Sequence, residues 1–227
     1  MKPDDLPPTT GWTLARRQAL VQTARELALP IVEDNPYGDL WFDAPPPAPL
    51  TARHPEGSVY LGSFSKVLAP GLRLGYLVAP EHVLPKLLQA KQAADLHSPG
   101  FNQRMVAEVL RDGFLERHVP TIRALYHAQR DAMLAAMERE MRGLGVQWNV
   151  PAGGMFVWAR LPAGLDALAL LPRAVERGVA FVPGAPFYAG EPDARTLRLS
   201  FVTSTTEQVA TGIATLAATI RDNLPGT

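Results

Sequence analysis

The sequence predicts an α/β fold: part of a parallel-type sheet layer over residues 1–95, followed by an α+β domain with a long linking helix over residues 96–227. Three observations carry this expectation. A run with apolar residues at helical spacing, TLARRQALVQTARELA (13–28), leads directly into the short apolar LPIVED, and helix followed by buried strand is the signature of βαβ units. SVYLGSFS and LRLGYLVAP are two further strand-like runs in the same part of the chain. After residue 145 the strand-like runs VQWNV, GGMFVWARL, VAFVPG and TLRLSF are interleaved with two helical stretches.

Taken in order, residues 1–11 are rich in proline and threonine and read as irregular. Thr13 is placed to cap the first helix. Residues 43–57 (DAPPPAPLTARHPEG) form a loop by composition. Residues 81–96 read as helix, Pro99-Gly100 as a break, and 101–141 as mostly helical, with kinks expected near Gly113 and Pro120. Over 121–141 the apolar stripe is read as Ile122, Leu125, Ala128, Ala132, Ala135 and Ala136. LDALALLPRAVERG and TTEQVATGIATLAATIRDNL supply the last two helices. Three strands are few for a parallel sheet covered on both faces, and the chain opens mid-unit, so a piece of a larger fold is expected.

Composition narrows the function classes. With 47% hydrophobic residues the chain can bury a core. Lys plus Arg and Asp plus Glu number 22 each, so no charge footprint points to nucleic acid or a membrane surface. Cysteine is absent, which removes disulfides and thiolate metal sites. Histidines 54, 82, 97, 118 and 127 show no metal-ligand spacing and read as surface or cap residues, so no metal is expected. The start lacks a basic-then-apolar signal pattern and no apolar run reaches the roughly 18 residues of a membrane span, so a cytoplasmic protein is the expectation.

The chemistry concentrates in YLGSFSKVLAPGLRLGY (60–76). Lys66 is one of four lysines and sits where a strand gives way to a loop, the place where open α/β sheets bind ligands. A partly desolvated amine there can attack carbonyls; the alternative is a solvated surface lysine. Ser63, Ser65 and Arg73 can form an anion cradle beside it, with Gly71 letting the backbone approach; singly, each serine reads rather as a turn or cap residue. In VEDNPYGDL, Asp34 and Tyr37 also follow a strand, and can hold a small molecule or simply make an acidic turn. Arg198, inside LRLSF, points either to solvent or to a carboxylate in a cleft.

The order VEDNPYGDL, SFSKVLAPGLRLGY, PAGGMFVWARLP, GVAFVPGAPFY, LRLSF resembles the class I/II aminotransferases of fold type I, which depend on pyridoxal 5′-phosphate, and within them the 2-aminoadipate or broad-specificity amino-acid subgroup. The resemblance runs from about Gly11 onward, and its motifs are specific in combination. It implies that Lys66 forms a Schiff base with the cofactor and moves the substrate proton. Asp34 would sit against the pyridine nitrogen and Tyr37 would bond the ring oxygen O3′. Ser63, Ser65 and Arg73 would bind the phosphate, and Arg198 the substrate α-carboxylate. Residues 153–156 would pass near the substrate side.

The resemblance covers only the second half of that family, whose first half supplies a phosphate-binding turn, a ring-stacking aromatic and more of the sheet. A member would read Asn-Pro-Thr-Gly where this chain has Pro8-Thr9-Thr10-Gly11, and proline cannot replace the asparagine amide. The reading is therefore a truncated or incomplete aminotransferase acting on α-amino and α-keto acids. A cofactor-sensing domain of a transcription regulator and a non-catalytic fragment are the alternatives. Family members imply a homodimer for the full-length protein.

Overall fold

The computed structural model describes residues 12–225. The chain separates into two compact units, within residues 11–123 and 124–227.

In the first unit, α1 (Leu14–Glu26) begins where the Thr13 hydroxyl accepts the Arg16 N–H at 3.3 Å, as expected of a capping threonine. Val21 and Ala24 on its inner face form a small core with Ile31 and Leu50. The helix closes through Ala28 at φ 50°, with the Leu29 N–H bonded to the Ala24 carbonyl at 2.8 Å. Strand β1 (Ile31–Asp34) pairs in parallel with β2 (Ser58–Ser63), from Ile31 opposite Ser58 to Asp34 opposite Leu61. The third strand, β3 (Gly75–Val78), is antiparallel to β2, and the sheet order is β1-β2-β3. The physical reason is the connection: residues 64–74 hold no crossover helix, and a parallel return needs a dozen or more residues. Gly62 leaves room for the Tyr76 ring, which a Cβ there would meet at 2.2 Å. That ring lies against Tyr60 and Phe64, at centroid distances of 6.3 and 5.4 Å.

Two helices follow, α2 (Leu84–Ala94) and α3 (Gly100–Leu110), the latter starting after Pro99 as expected. The domain boundary read from the sequence, after residue 95, lies between these two helices and inside the first unit. Gly113 at φ 65° separates α3 from α4 (Phe114–Met141), and α4 continues through Pro120. The Arg123 guanidinium packs 3.8 Å from the centre of the Trp41 ring, and its Nε donates to the Asp39 carbonyl at 2.6 Å.

The second unit contains the C-terminal part of α4. Its buried residues there are Gln129, Arg130, Met133, Ala136, Met137 and Met141, whereas Leu125, Ala128 and Ala135 are not, so the stripe read from the sequence is displaced by about one position. The sheet comprises β4 (Gln147–Trp148), β5 (Phe156–Arg160), β6 (Val182–Pro183) and β7 (Thr196–Ser200), all antiparallel in the order β4-β5-β7-β6. Alternation sets its inner face: Val157 and Ala159 on β5, Leu197 and Leu199 on β7, all buried. Helix α5 (Ala167–Glu176) is capped by the Asp166 carboxylate, which accepts from Leu168 and Ala169, and α6 (Thr206–Arg221) opens with a capping box of Thr205 and Gln208. Leu170 and Ala174 of α5 and Ile213, Leu216, Ala217 and Ile220 of α6 are buried. Asp193 meets Arg160 at 2.7 Å with both side chains nearly covered. Among the described residues no helix is long and apolar enough to cross a membrane.

Candidate functional site

The carboxyl ends of β1 and β2 lie side by side because the two strands are parallel and in register. Asp34 is the last residue of β1, and its exposed carboxylate has no hydrogen bond or ion pair among the described residues. Its neighbour Glu33 faces the other way and is the partnered carboxylate. It pairs with Arg17 at 3.0 Å and accepts from the Thr51 N–H and hydroxyl at 3.2 and 3.4 Å. Alternation along Ile31 to Asp34 is the signal that separates the two acids: Glu33 shares a face with buried Ile31. The following turn carries half-buried Tyr37, whose carbonyl accepts the Leu40 N–H at 2.9 Å.

Lys66 stands in the turn that leaves β2. The Phe64 carbonyl accepts from both Leu68 and Ala69, at 2.9 and 3.1 Å, and Val67 is buried, so the turn is anchored on either side of the lysine. The Lys66 amine is half-buried and lies 5.9 Å from the centre of the Tyr37 ring, with no carboxylate paired to it among the described residues. The Ser63 hydroxyl accepts the Ser65 N–H at 3.1 Å. Arg73 takes a left-handed backbone (φ 52°, ψ 40°) after the 3₁₀ turn Pro70–Leu72, and its Nη1 donates to the Pro70 carbonyl at 3.3 Å. The loop is tied at both ends, by the Phe64 N–H to the Leu74 carbonyl at 3.2 Å and by the Asn102 amide to the Leu72 carbonyl at 3.0 Å. Lys66 and Tyr37 thus meet, and Ser63, Ser65 and Arg73 share the one loop with Lys66. Asp34 shares the strand end without touching them.

Two residues at this end escape a reading by motif alone. The Asn35 amide donates to the Tyr60 hydroxyl at 3.3 Å. Burial, then the neighbouring Tyr76, holds the Tyr60 phenol above its ordinary pKa of 10.0, so it is neutral at physiological pH.

Arg198 belongs to the second unit, at the centre of β7 between Trp158 of β5 and Val182 of β6. Its guanidinium carbon lies 4.0 Å from the Phe156 ring centre and 4.9 Å from that of Phe187. Its Nε is buried without a hydrogen-bond acceptor. Of the two placements open to it, then, it is not simply solvated: two rings hold it, and a donor is left over for a ligand. Phe187 was invisible as a site neighbour in the sequence, since only the folding of 185–187 into a 3₁₀ turn carries it to β7. Pro8 to Gly11, where the family pattern departs, fall outside the described residues.

Residues 8–216 match the family described as aminotransferase class I and II. The chain belongs to that family. Aromatic-amino-acid aminotransferase 1 of Thermococcus litoralis is 44% identical over 92% of this chain and 50% of its own length. The structure of the α-aminoadipate aminotransferase LysN of Thermus thermophilus, in complex with N-(5′-phosphopyridoxyl)-L-leucine, superposes with a TM-score of 0.88 at 44% identity, over 94% of this chain and 56% of that one. An uncharacterized HTH-type transcriptional regulator of Bacillus subtilis, YisV, is 36% identical over 95% of this chain and 44% of its own. The chain therefore spans about half the length of the class I and II relatives it matches.

Proposed function

We propose that this chain is the cofactor-lysine half of a pyridoxal 5′-phosphate-dependent aminotransferase that moves an amino group between an α-amino acid and an α-keto acid in the cytoplasm. Residues 1–95 would be the C-terminal part of its cofactor-binding domain and 96–227 its small domain. The full-length protein would be a homodimer, with no nucleic-acid or membrane partner.

One observation carries this reading: a chain of the class I and II family sets an amine, a carboxylate, a phenol, two hydroxyls and a guanidinium around one strand end, and Lys66 and Asp34 have no ionic partner within the described residues. That donor set fits the cofactor group by group. Lys66 would hold the aldehyde carbon, Asp34 the ring nitrogen and Tyr37 the ring hydroxyl. Ser63, Ser65 and Arg73 would hold the phosphate, and the strained left-handed backbone of Arg73 supports a functional reason for its place. When bound, the cofactor supplies an electron sink for the pair released from the substrate Cα.

The chain's own groups divide the remaining work. With the cofactor bound, the Lys66 amine would take the proton from the substrate Cα and hand it on within the site. Its turn is tied through the Phe64 carbonyl, which holds the backbone that carries the amine. The Asp34 carboxylate would hold the ring nitrogen in its protonated form by charge attraction. Arg198 would orient the substrate through a two-pronged bond to its carboxylate, with the Phe156 and Phe187 rings packed against its guanidinium.

The test is an absorbance spectrum of the purified chain with added pyridoxal phosphate, before and after borohydride, with mass mapping of the labelled lysine. The expected result is a visible band that reduction removes, with label on Lys66 and none after Lys66→Ala. Label scattered over Lys2, Lys86 and Lys91 overturns the site and leaves a non-catalytic fragment. The likeness to the regulator supports a second reading, a cofactor-dependent sensor domain. Under it Lys66 is labelled, but an amino acid and a keto acid supplied together yield no exchange.

A further inference from the structure

A second group of cations in the first unit takes no part in this chemistry. A depression of about 480 Å³ opens beside α1. Gln18, Gln22 and Arg25, spaced four and three residues apart, line it from one face of the helix, and Arg53 closes it from the loop ahead of β2. No carboxylate lines it, and of the two amides the Gln22 Nε2 already donates to Glu26 at 2.6 Å.

The two arginines are held differently. Arg25 is anchored by three contacts, from Nε to His54 Nδ1 at 3.3 Å, from Nη2 to the Arg53 carbonyl at 2.8 Å and from Nη2 to Glu56 at 3.5 Å. Its Nη1 has no acceptor among the described residues. The Arg53 side chain has no ion pair or hydrogen bond there either, and its Nε is buried with nothing to accept from it. A buried donor on a cation that lacks an acceptor is costly, and in native proteins it points to an ion or ligand that completes it.

We propose that this depression binds a small oxyanion, the carboxylate or phosphate group of a metabolite, with Arg53 as its main anchor, Arg25 Nη1 as the second prong and the Gln18 amide at the rim. Guanidinium forks match both kinds of oxyanion. The site is separate from the loop carrying Ser63, Ser65 and Arg73, so it stands whether or not that loop binds a cofactor phosphate.

The test is a calorimetric titration of the chain at low ionic strength, once with inorganic phosphate and once with malonate, repeated in an Arg73→Ala background to exclude the other loop. Expected are saturable binding of at least one anion, a dissociation constant unchanged within about twofold by Arg73→Ala, and a loss of at least about tenfold in affinity in Arg53→Gln, as removal of a charge-assisted hydrogen bond implies. Gln18→Glu, on an exposed helix position, places a carboxylate in the depression and is expected to abolish binding. It also decides the matter if Arg53→Gln does not fold. Phosphate alone binding assigns a phosphate ester, malonate alone a carboxylate, and both a site for either. No saturable binding of either anion, or binding indifferent to Gln18→Glu, overturns the proposal.

Discussion

Ala28 sits where a helix usually ends in glycine. Its φ of 50° costs an L-residue about 1–2 kcal/mol, whereas the extra unfolded-state entropy of glycine costs about 0.4–1 kcal/mol. The first term is larger, so Ala28→Gly is expected to stabilise the chain by about 0.5–1 kcal/mol, read as a higher urea midpoint; a lower midpoint would show that the turn is not strained. Asp193 makes the opposite case. Burial alone would raise its carboxyl, but the Arg195 backbone and side-chain N–H groups, with the charges of Arg195 and Arg160, outweigh it and hold the pKa below 3.8. A depressed carboxyl contributes stability that is present above its unfolded pKa and lost as pH falls through the folded one. Asp193→Asn is therefore expected to destabilise by about 3 kcal/mol at pH 7, because it removes the carboxylate that pairs with buried Arg160. The gap to wild type should narrow below pH 3.8, and a gap equally wide at about pH 3 would rule out the charge as its cause.

Among the elements, those that announced themselves locally were legible. Thr13 caps α1 and β1 to β3 fall on their β-prone runs, while Gly113, expected to kink one long helix, separates two. The strand end that carries Ser63, Ser65 and Lys66 was legible for the same reason, since a strand end is a local feature. What needed tertiary information was misread or missed. Helix α4 has alanine on several faces, so composition could not decide which face is covered, and its burial follows Met133, Met137 and Met141. The approach of Phe187 to Arg198 depends on a chain return that no spacing encodes, whereas the antiparallel hand of β3 and the outward turn of Asp34 follow from the short 64–74 connection and the alternation along β1. The α4 reassignment makes its own prediction. Met137 is fully covered and Leu125 is 54% exposed. Met137→Ala should cost about 2–5 kcal/mol, whereas Leu125→Ala should stay within about 0.5 kcal/mol of wild type. Equal losses in chemical denaturation would restore the stripe through Leu125.

At the scale of the whole molecule, charge and exposed apolar surface act together. Strand β3 is a sheet edge with unpaired backbone groups, and Tyr76, Leu77 and Val78 along it are 46%, 41% and 55% exposed, as is Val32 on the opposite edge at 65%. An apolar edge strand of this kind is a template for pairing with another chain. Charge repulsion does little to oppose it, because the formal net charge is zero and the pI is about 7.0. Association in sedimentation, with binding of a hydrophobic dye, is therefore expected to peak near pH 7 and to weaken as pH moves away in either direction. Leu77→Lys should reduce it at every pH, because a lysine on an edge strand must be desolvated before a second strand can pair. If wild type stays monomeric at about pH 7 and excludes the dye, the edge is no template for pairing in solution.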